Sequence, residues 1–131
     1  GPAIDITRMT VLEKDDILTE IRIPKKWAGA KQYFEKVADR ETWDFALVNL
    51  AMVAKTSGGK VTDVRMTCGG VQCTPRRLTN VESLMKGEKI GTEMETLANR
   101  VAAQGAKALN YNHFKIPLMG SLAARAVRSL A

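Results

Sequence analysis

Residues 45–71, FALVNLAMVAKTSGGKVTDVRMTCGGV, decide the fold. The first ten are apolar at nearly every position, as in a strand buried at the centre of a sheet. Ser57-Gly58-Gly59-Lys60 then sets two glycines side by side, where a tight hairpin needs positive backbone dihedrals. Beyond that turn the chain alternates, with Val64, Met66 and Cys68 on one face and Asp63, Arg65 and Thr67 on the other. Strand, two-residue turn and strand in succession mean antiparallel pairing.

Upstream, residues 31–37 alternate in the same way, and residues 17–24, ILTEIRIP, read as a first half-buried strand closed by Pro24. In it Ile17, Ile21 and Ile23 point to one side and Glu20 and Arg22 to the other, where Leu18 also falls. Past Pro75 the period becomes helical. Thr79 with Glu82, and Thr92 with Glu95, fit the capping box, in which a threonine hydroxyl and a glutamate three residues on satisfy each other's backbone donors. The first helix then stops at Gly87, and the second carries Met94, Leu97 and Val101 as far as about Ala108. A third starts near Pro117, with Leu118, Leu122, Val127 and Leu130 inward and Arg125 and Arg128 outward. The expected fold class is α+β, an antiparallel sheet of about four strands with three helices packed on one face.

Length and composition suit one soluble domain: 131 residues, 45% apolar and 26% charged. The opening Gly1-Pro2 reads as the remnant of a cleaved tag, so the natural chain is expected to start further upstream. No apolar run approaches the roughly 20 residues of a membrane span. The net charge of +6 favours anionic partners, but the basic residues are scattered in ones and twos (Lys25-Lys26, Arg76-Arg77, Arg125, Arg128), unlike a nucleic-acid-binding tail.

Two cysteines and one histidine are too few for a zinc site or an iron–sulfur cluster. Cys68 and Cys73 are spaced for a small disulfide loop, yet free thiols in a reducing compartment are the expectation. The sole histidine, His113, follows the connection Asn110-Tyr111-Asn112 with no elbow serine elsewhere, which argues against a hydrolase. Asp15, Asp16, Glu93 and Glu95 stand at strand or helix starts, where acids are locally stabilising. Gly69-Gly70 lacks the spacing of a phosphate loop and does not lead into a helix. The isolated domain is therefore expected to be inactive by itself.

Five segments in order carry a resemblance: ILTEIRIP (17–24), YFEKVADRETWDFALV (33–48), GKVTDVRMTCGGVQCTPRR (59–77), VESLMKG (81–87) and HFKIPLMGSLAARAVRSL (113–130). Together they resemble the C-terminal domain of the FAD-binding subunit of molybdenum hydroxylases, the family of xanthine dehydrogenase, carbon monoxide dehydrogenase and bacterial aldehyde oxidoreductases. The resemblance implies that the chain is one piece of a longer oxidoreductase subunit. In such enzymes a molybdopterin subunit oxidises the substrate and electrons pass through [2Fe–2S] clusters. FAD then delivers them to an external acceptor. It also implies that two lobes N-terminal to this domain hold most of the flavin. The iron–sulfur and molybdenum subunits would be partners in the same complex, with neither nucleic acid nor membrane involved, and in the cytoplasm or else the periplasm.

By the same resemblance Lys36 matches a lysine that approaches the FAD, and Leu18 matches a leucine that lies against it. Arg40 and Trp43 stand on the loop that passes the isoalloxazine ring, although some members carry an acid where Trp43 stands. An ammonium there would favour the flavin's anionic reduced form and its phosphates by Coulomb attraction. Leu18 and Lys36 are then expected to share a patch on the sheet face away from the helices, with Arg40 and Trp43 at its rim and Ile17, Ile21 and Ile23 in the core. Two alternatives remain: a docking domain for the partner subunits, using the C-terminal helix as its surface, and, more remotely, a small basic nucleic-acid binder.

Overall fold

In the computed structural model, which describes Pro2 and residues 4–131, the sheet is built of β1 (Lys31–Val37), β2 (Val48–Ser57), β3 (Lys60–Gly69) and the two-residue β4 (Arg76–Arg77). Gly1 of the expected tag remnant lies outside the described residues. The strands lie in the order β1-β2-β3-β4, and each neighbouring pair is antiparallel. Gly58 and Gly59 both have positive φ, +56° and +73°, the combination that lets a two-residue turn follow the twist of its strands. The architecture is the expected α+β one.

Alternation along the strands sorts the two faces. Val48, Leu50, Met52 and Ala54 of β2, with Val61, Val64, Met66 and Cys68 of β3, are buried on one side. Over them lie α1 (Thr79–Met85), which contacts β3, and α3 (Lys115–Arg128), which contacts β2. The remaining helix, α2 (Thr92–Ala102), packs chiefly on α3. Small residues permit that approach: a Cβ added at Gly120 would stand 2.6 Å from the Asn99 carbonyl oxygen, so the two backbones meet there with no room for a side chain. Arg125 pairs with Glu35 on β1 and Arg128 with Glu95 on α2, which fixes the outer side of α3 to both neighbours.

The expected first strand does not form. Residues 17–24 belong to no helix or strand, and Ile17, Ile21 and Ile23 are exposed rather than in the core. Their alternation survives locally, since Arg22 donates to Glu20 at 2.8 Å on a shared side. A strand, however, is stabilised by cross-strand neighbours and a buried face, and among the described residues nothing pairs with this segment. The fourth strand is instead β4, too short to leave a periodic signal.

Other boundaries shift for identifiable reasons. The apolar run enters the sheet at Val48, not Phe45, because Phe45 belongs to the preceding loop and is exposed. The segment after Ala102 leaves the helix near Gly105, whose φ is +78°. Neither capping box forms: Leu78 and Gly91 hold the cap positions without side-chain bonds, and both threonines lie in the first turn. Glu82 and Glu95 are drawn to Arg77 and Arg128 instead, since charge-assisted bonds are stronger than bonds to neutral amides.

Candidate functional site

Because Tyr33 and Val37 pack on the core and Glu35 pairs with α3, the intervening residues of β1 face the opposite side of the sheet. Three rungs cross that outer face: Gln32, Val53 and Arg65; Phe34, Ala51 and Thr67; Lys36, Asn49 and Gly69. None of α1, α2 and α3 covers them. Phe34 is 66% exposed, a large apolar ring halfway along the edge strand of an open sheet face.

At one end the outer face deepens into a groove of about 740 Å³, lined by Ile23, Trp27, Phe34, Ala51, Val53 and Arg65 among others. Its wall is the 3₁₀ turn Lys25–Trp27, and two cations approach the Trp27 ring, Lys26 at 4.9 Å and Arg65 at 5.7 Å from its centroid. Such cation–π contacts hold the indole in place over the sheet. Asp63 anchors the same cations, lying 3.7 Å from Lys26 and 3.3 Å from Arg65.

At the other end stands Lys36, whose ammonium donates to the Asp44 carbonyl oxygen at 2.8 Å. The loop 38–47 between β1 and β2 folds around that same residue. One carboxylate oxygen of Asp44 accepts the Phe45 backbone N–H at 2.9 Å and the Arg40 guanidinium at 3.4 Å, and the other accepts the Arg40 backbone N–H at 3.1 Å. The Arg40 side-chain bond is the largest influence and, with the backbone N–H bonds, outweighs the opposing effect of burial, so the Asp44 carboxyl is held below its ordinary 3.8. Trp43 crowns the loop and is 90% exposed, so it does not anchor β2 in the core.

Lys36, Arg40 and Trp43 thus come together around one loop. Leu18 stands on the unpaired segment before the 3₁₀ turn, 64% exposed, and does not line the groove, although Ile23 and Pro24 of that segment do. Sequence reasoning passed over Phe34, Trp27 and Asp44. The first was legible, since alternation puts it on the Lys36 side of β1. The other two depend on contacts between loops, which leave no periodic signal.

The chemistry on this face is therefore two cations on a common acidic residue beside two exposed aromatic rings. Such a set can bind a flat, acceptor-rich anion or stack on a conjugated ring, but among the described residues it contains no nucleophile–base pair and no cluster of metal ligands. None of the described helices is long and apolar enough to cross a membrane.

Residues 32–130 match the family described as the CO dehydrogenase flavoprotein C-terminal domain. The chain is 32% identical over 103 residues to the nicotine 6-hydroxylase medium subunit of Paenarthrobacter nicotinovorans, covering 79% of this chain and 34% of that protein. It is equally 32% identical over 103 residues to the carbon monoxide dehydrogenase medium chain of Hydrogenophaga pseudoflava, with the same coverage. Among solved structures, a carbon monoxide dehydrogenase from Hydrogenophaga pseudoflava, lacking the Mo-pyranopterin moiety of its molybdenum cofactor, superposes with a TM-score of 0.69 at 27% identity. That match covers 77% of this chain and 36% of the other. The chain spans about a third of the length of the curated relatives it matches.

Proposed function

This chain belongs to the CO dehydrogenase flavoprotein C-terminal domain family, and we propose that its outer sheet face forms one wall of an FAD site, closed by the rest of a flavoprotein subunit. The observation that carries the reading is the open face of β1 and β2, where Phe34 and Lys36 stand uncovered next to the loop of Arg40 and Trp43.

The donor set fits such a wall. An isoalloxazine ring offers a flat π-surface edged with nitrogen and oxygen acceptors, and FAD carries two phosphates. Exposed rings supply stacking area, while Lys36 uses one of its three donors on Asp44 and has others to give. The set does not make up a complete site, because among the described residues no backbone loop of the phosphate-binding kind is present to cradle the pyrophosphate. The domain would then complete a site whose larger part lies elsewhere.

When bound, FAD would supply the step between one-electron iron–sulfur carriers and an external acceptor. The contribution of this chain is electrostatic and steric. Lys36 and Arg40 present positive charge towards an electron-rich ring, and that charge acts more strongly as a second lobe excludes water. Trp43 and Phe34 exclude water from the ring's flank. Leu18, ahead of the turn, would add an apolar contact as the preceding lobe folds over it. The iron–sulfur and molybdenum subunits remain the proposed partners.

The test joins this domain to the flavin lobes of its natural subunit. FAD titration should give tight stoichiometric binding by the joined protein and weak or undetectable binding by these 131 residues. Stoichiometric binding by the short chain, or no gain on joining, would refute the reading.

A docking role has one observation in its favour, away from α3. The apolar side of α3 is spent on the core, with Leu122 and Val127, and Leu130 just beyond the helix, buried, so the C-terminal helix offers no free apolar face there. Leu109, Tyr111 and Phe114, in the connection before it, are exposed together, and a partner subunit would find its apolar contact at that loop.

A further inference from the structure

We infer that Asp44 is the positioning residue of this face, an acid whose carboxylate shuts the β1–β2 loop and whose carbonyl aims Lys36. The inference rests on the flavin reading for its purpose, and on the loop's own bonds for its geometry.

Four bonds converge on this one residue. Two are backbone N–H groups, those of Arg40 and Phe45, which lie on either side of the loop tip and are drawn together by the one carboxylate. The third is the Arg40 guanidinium, so the charge that closes the loop also restrains its cation. The fourth runs from Lys36 to the Asp44 carbonyl oxygen, eight residues back along the chain on β1. By keeping the loop tip folded, the carboxylate holds that carbonyl where Lys36 meets it. Lys36 and Arg40 are thereby set in one arrangement before any ligand arrives. Such preorganisation lowers the ordering cost of binding.

Surroundings support the assignment. The Asp44 side chain is 15% exposed while Arg40 is 71% exposed, so the acid is the sheltered member and the cations are the ones presented outward. The loop's far end is pinned independently, since Leu47 N–H donates to the Val37 carbonyl at 2.7 Å. The base of the loop is therefore fixed by the sheet, and its tip is fixed by Asp44.

Two substitutions separate shape from charge. Asp44→Asn keeps an oxygen that accepts backbone N–H groups but gives up the charge on Arg40, whereas Asp44→Ala gives up both. In the flavoprotein subunit carrying its flavin lobes, Asp44→Ala should raise the amide exchange rates of Arg40 and Phe45 and speed tryptic cleavage after Arg40. It should also weaken FAD binding about tenfold, the scale of one charge-assisted bond. Asp44→Asn should have a smaller effect on all three. In the double variant with Lys36→Ala the losses should not add, because Lys36 is already misaimed.

Faster exchange and cleavage with unchanged FAD affinity would overturn the positioning role, and so would exchange rates that Asp44→Ala leaves as they were. An Lys36→Ala variant with full FAD affinity would instead refute the flavin reading, and the exchange and cleavage rates would then decide alone whether Asp44 shuts the loop.

Discussion

Glu82, on α1, reaches back to the sheet and accepts the backbone N–H of Met66 on β3 at 2.9 Å. Arg77 of β4 holds the same carboxylate through two bonds, at 2.7 and 2.6 Å, and the Glu82 residue is only 7% exposed. One acid thus joins a helix to two strands. It also explains why two residues suffice for β4: the arginine at its end is fixed from the side as well as by the ladder.

Glu82→Ala should therefore destabilise the domain by about 2 kcal/mol, mostly by leaving the Met66 N–H unpaired, since half-exposed Arg77 can turn to water. Burial, the largest single influence, pushes the Glu82 carboxyl up, but the Arg77 bond, the Met66 N–H and the charges of Arg77 and Arg65 together hold it below its ordinary 4.5. A depressed native pKa means stability present above the unfolded value and lost as pH falls through the native one. Unfolding temperature measured downwards from pH 7 should hold until about pH 4.5 and then decline. Glu82→Gln should lower the plateau and flatten the decline.

The two thiols differ in environment. Cys68 is buried on β3 and Cys73 is exposed in the loop after it, and both are free. Burial, slightly offset by Arg76, pushes the Cys68 thiol up to about 11, so it carries almost no thiolate at neutral pH. A thiol reagent should titrate one group quickly in the native protein and two after denaturation. Two rapid equivalents in the native state would contradict the buried strand position.

Gly120→Ala tests the contact between α2 and α3. The added methyl would fall 2.6 Å from backbone, which cannot swing aside as a side chain can. A loss of about 2 kcal/mol is expected, within the range for overpacking, and is readable as a lower unfolding temperature with secondary structure retained. Full stability would mean that the two helices are not held as close as described.

The hairpin around Gly58-Gly59 was legible because its signals are local: two glycines of positive φ between strands whose buried residues alternate with period two. The helices were legible from their apolar stripes and the Pro and Gly residues near their ends. Residues 17–24 carry the same alternation as a true strand but pair with no neighbour among the described residues, and pattern alone cannot report a missing partner. Glu82 and Glu95 failed as caps because arginines distant in sequence or on another element outcompete nearby amides. For the candidate site, Lys36 was readable from alternation combined with resemblance. The role of Asp44 was not, because it arises from a loop folding on itself.

The most direct measurement of the central claim is the FAD dissociation constant of the complete flavoprotein subunit with and without Lys36→Met. Methionine keeps the unbranched stem and removes the ammonium. If the outer face of β1 is a wall of the flavin site, affinity should fall about tenfold, the worth of one charge-assisted contact, while the unfolding temperature of the apoprotein stays where it was. An unchanged dissociation constant together with an unchanged flavin spectrum would contradict the account.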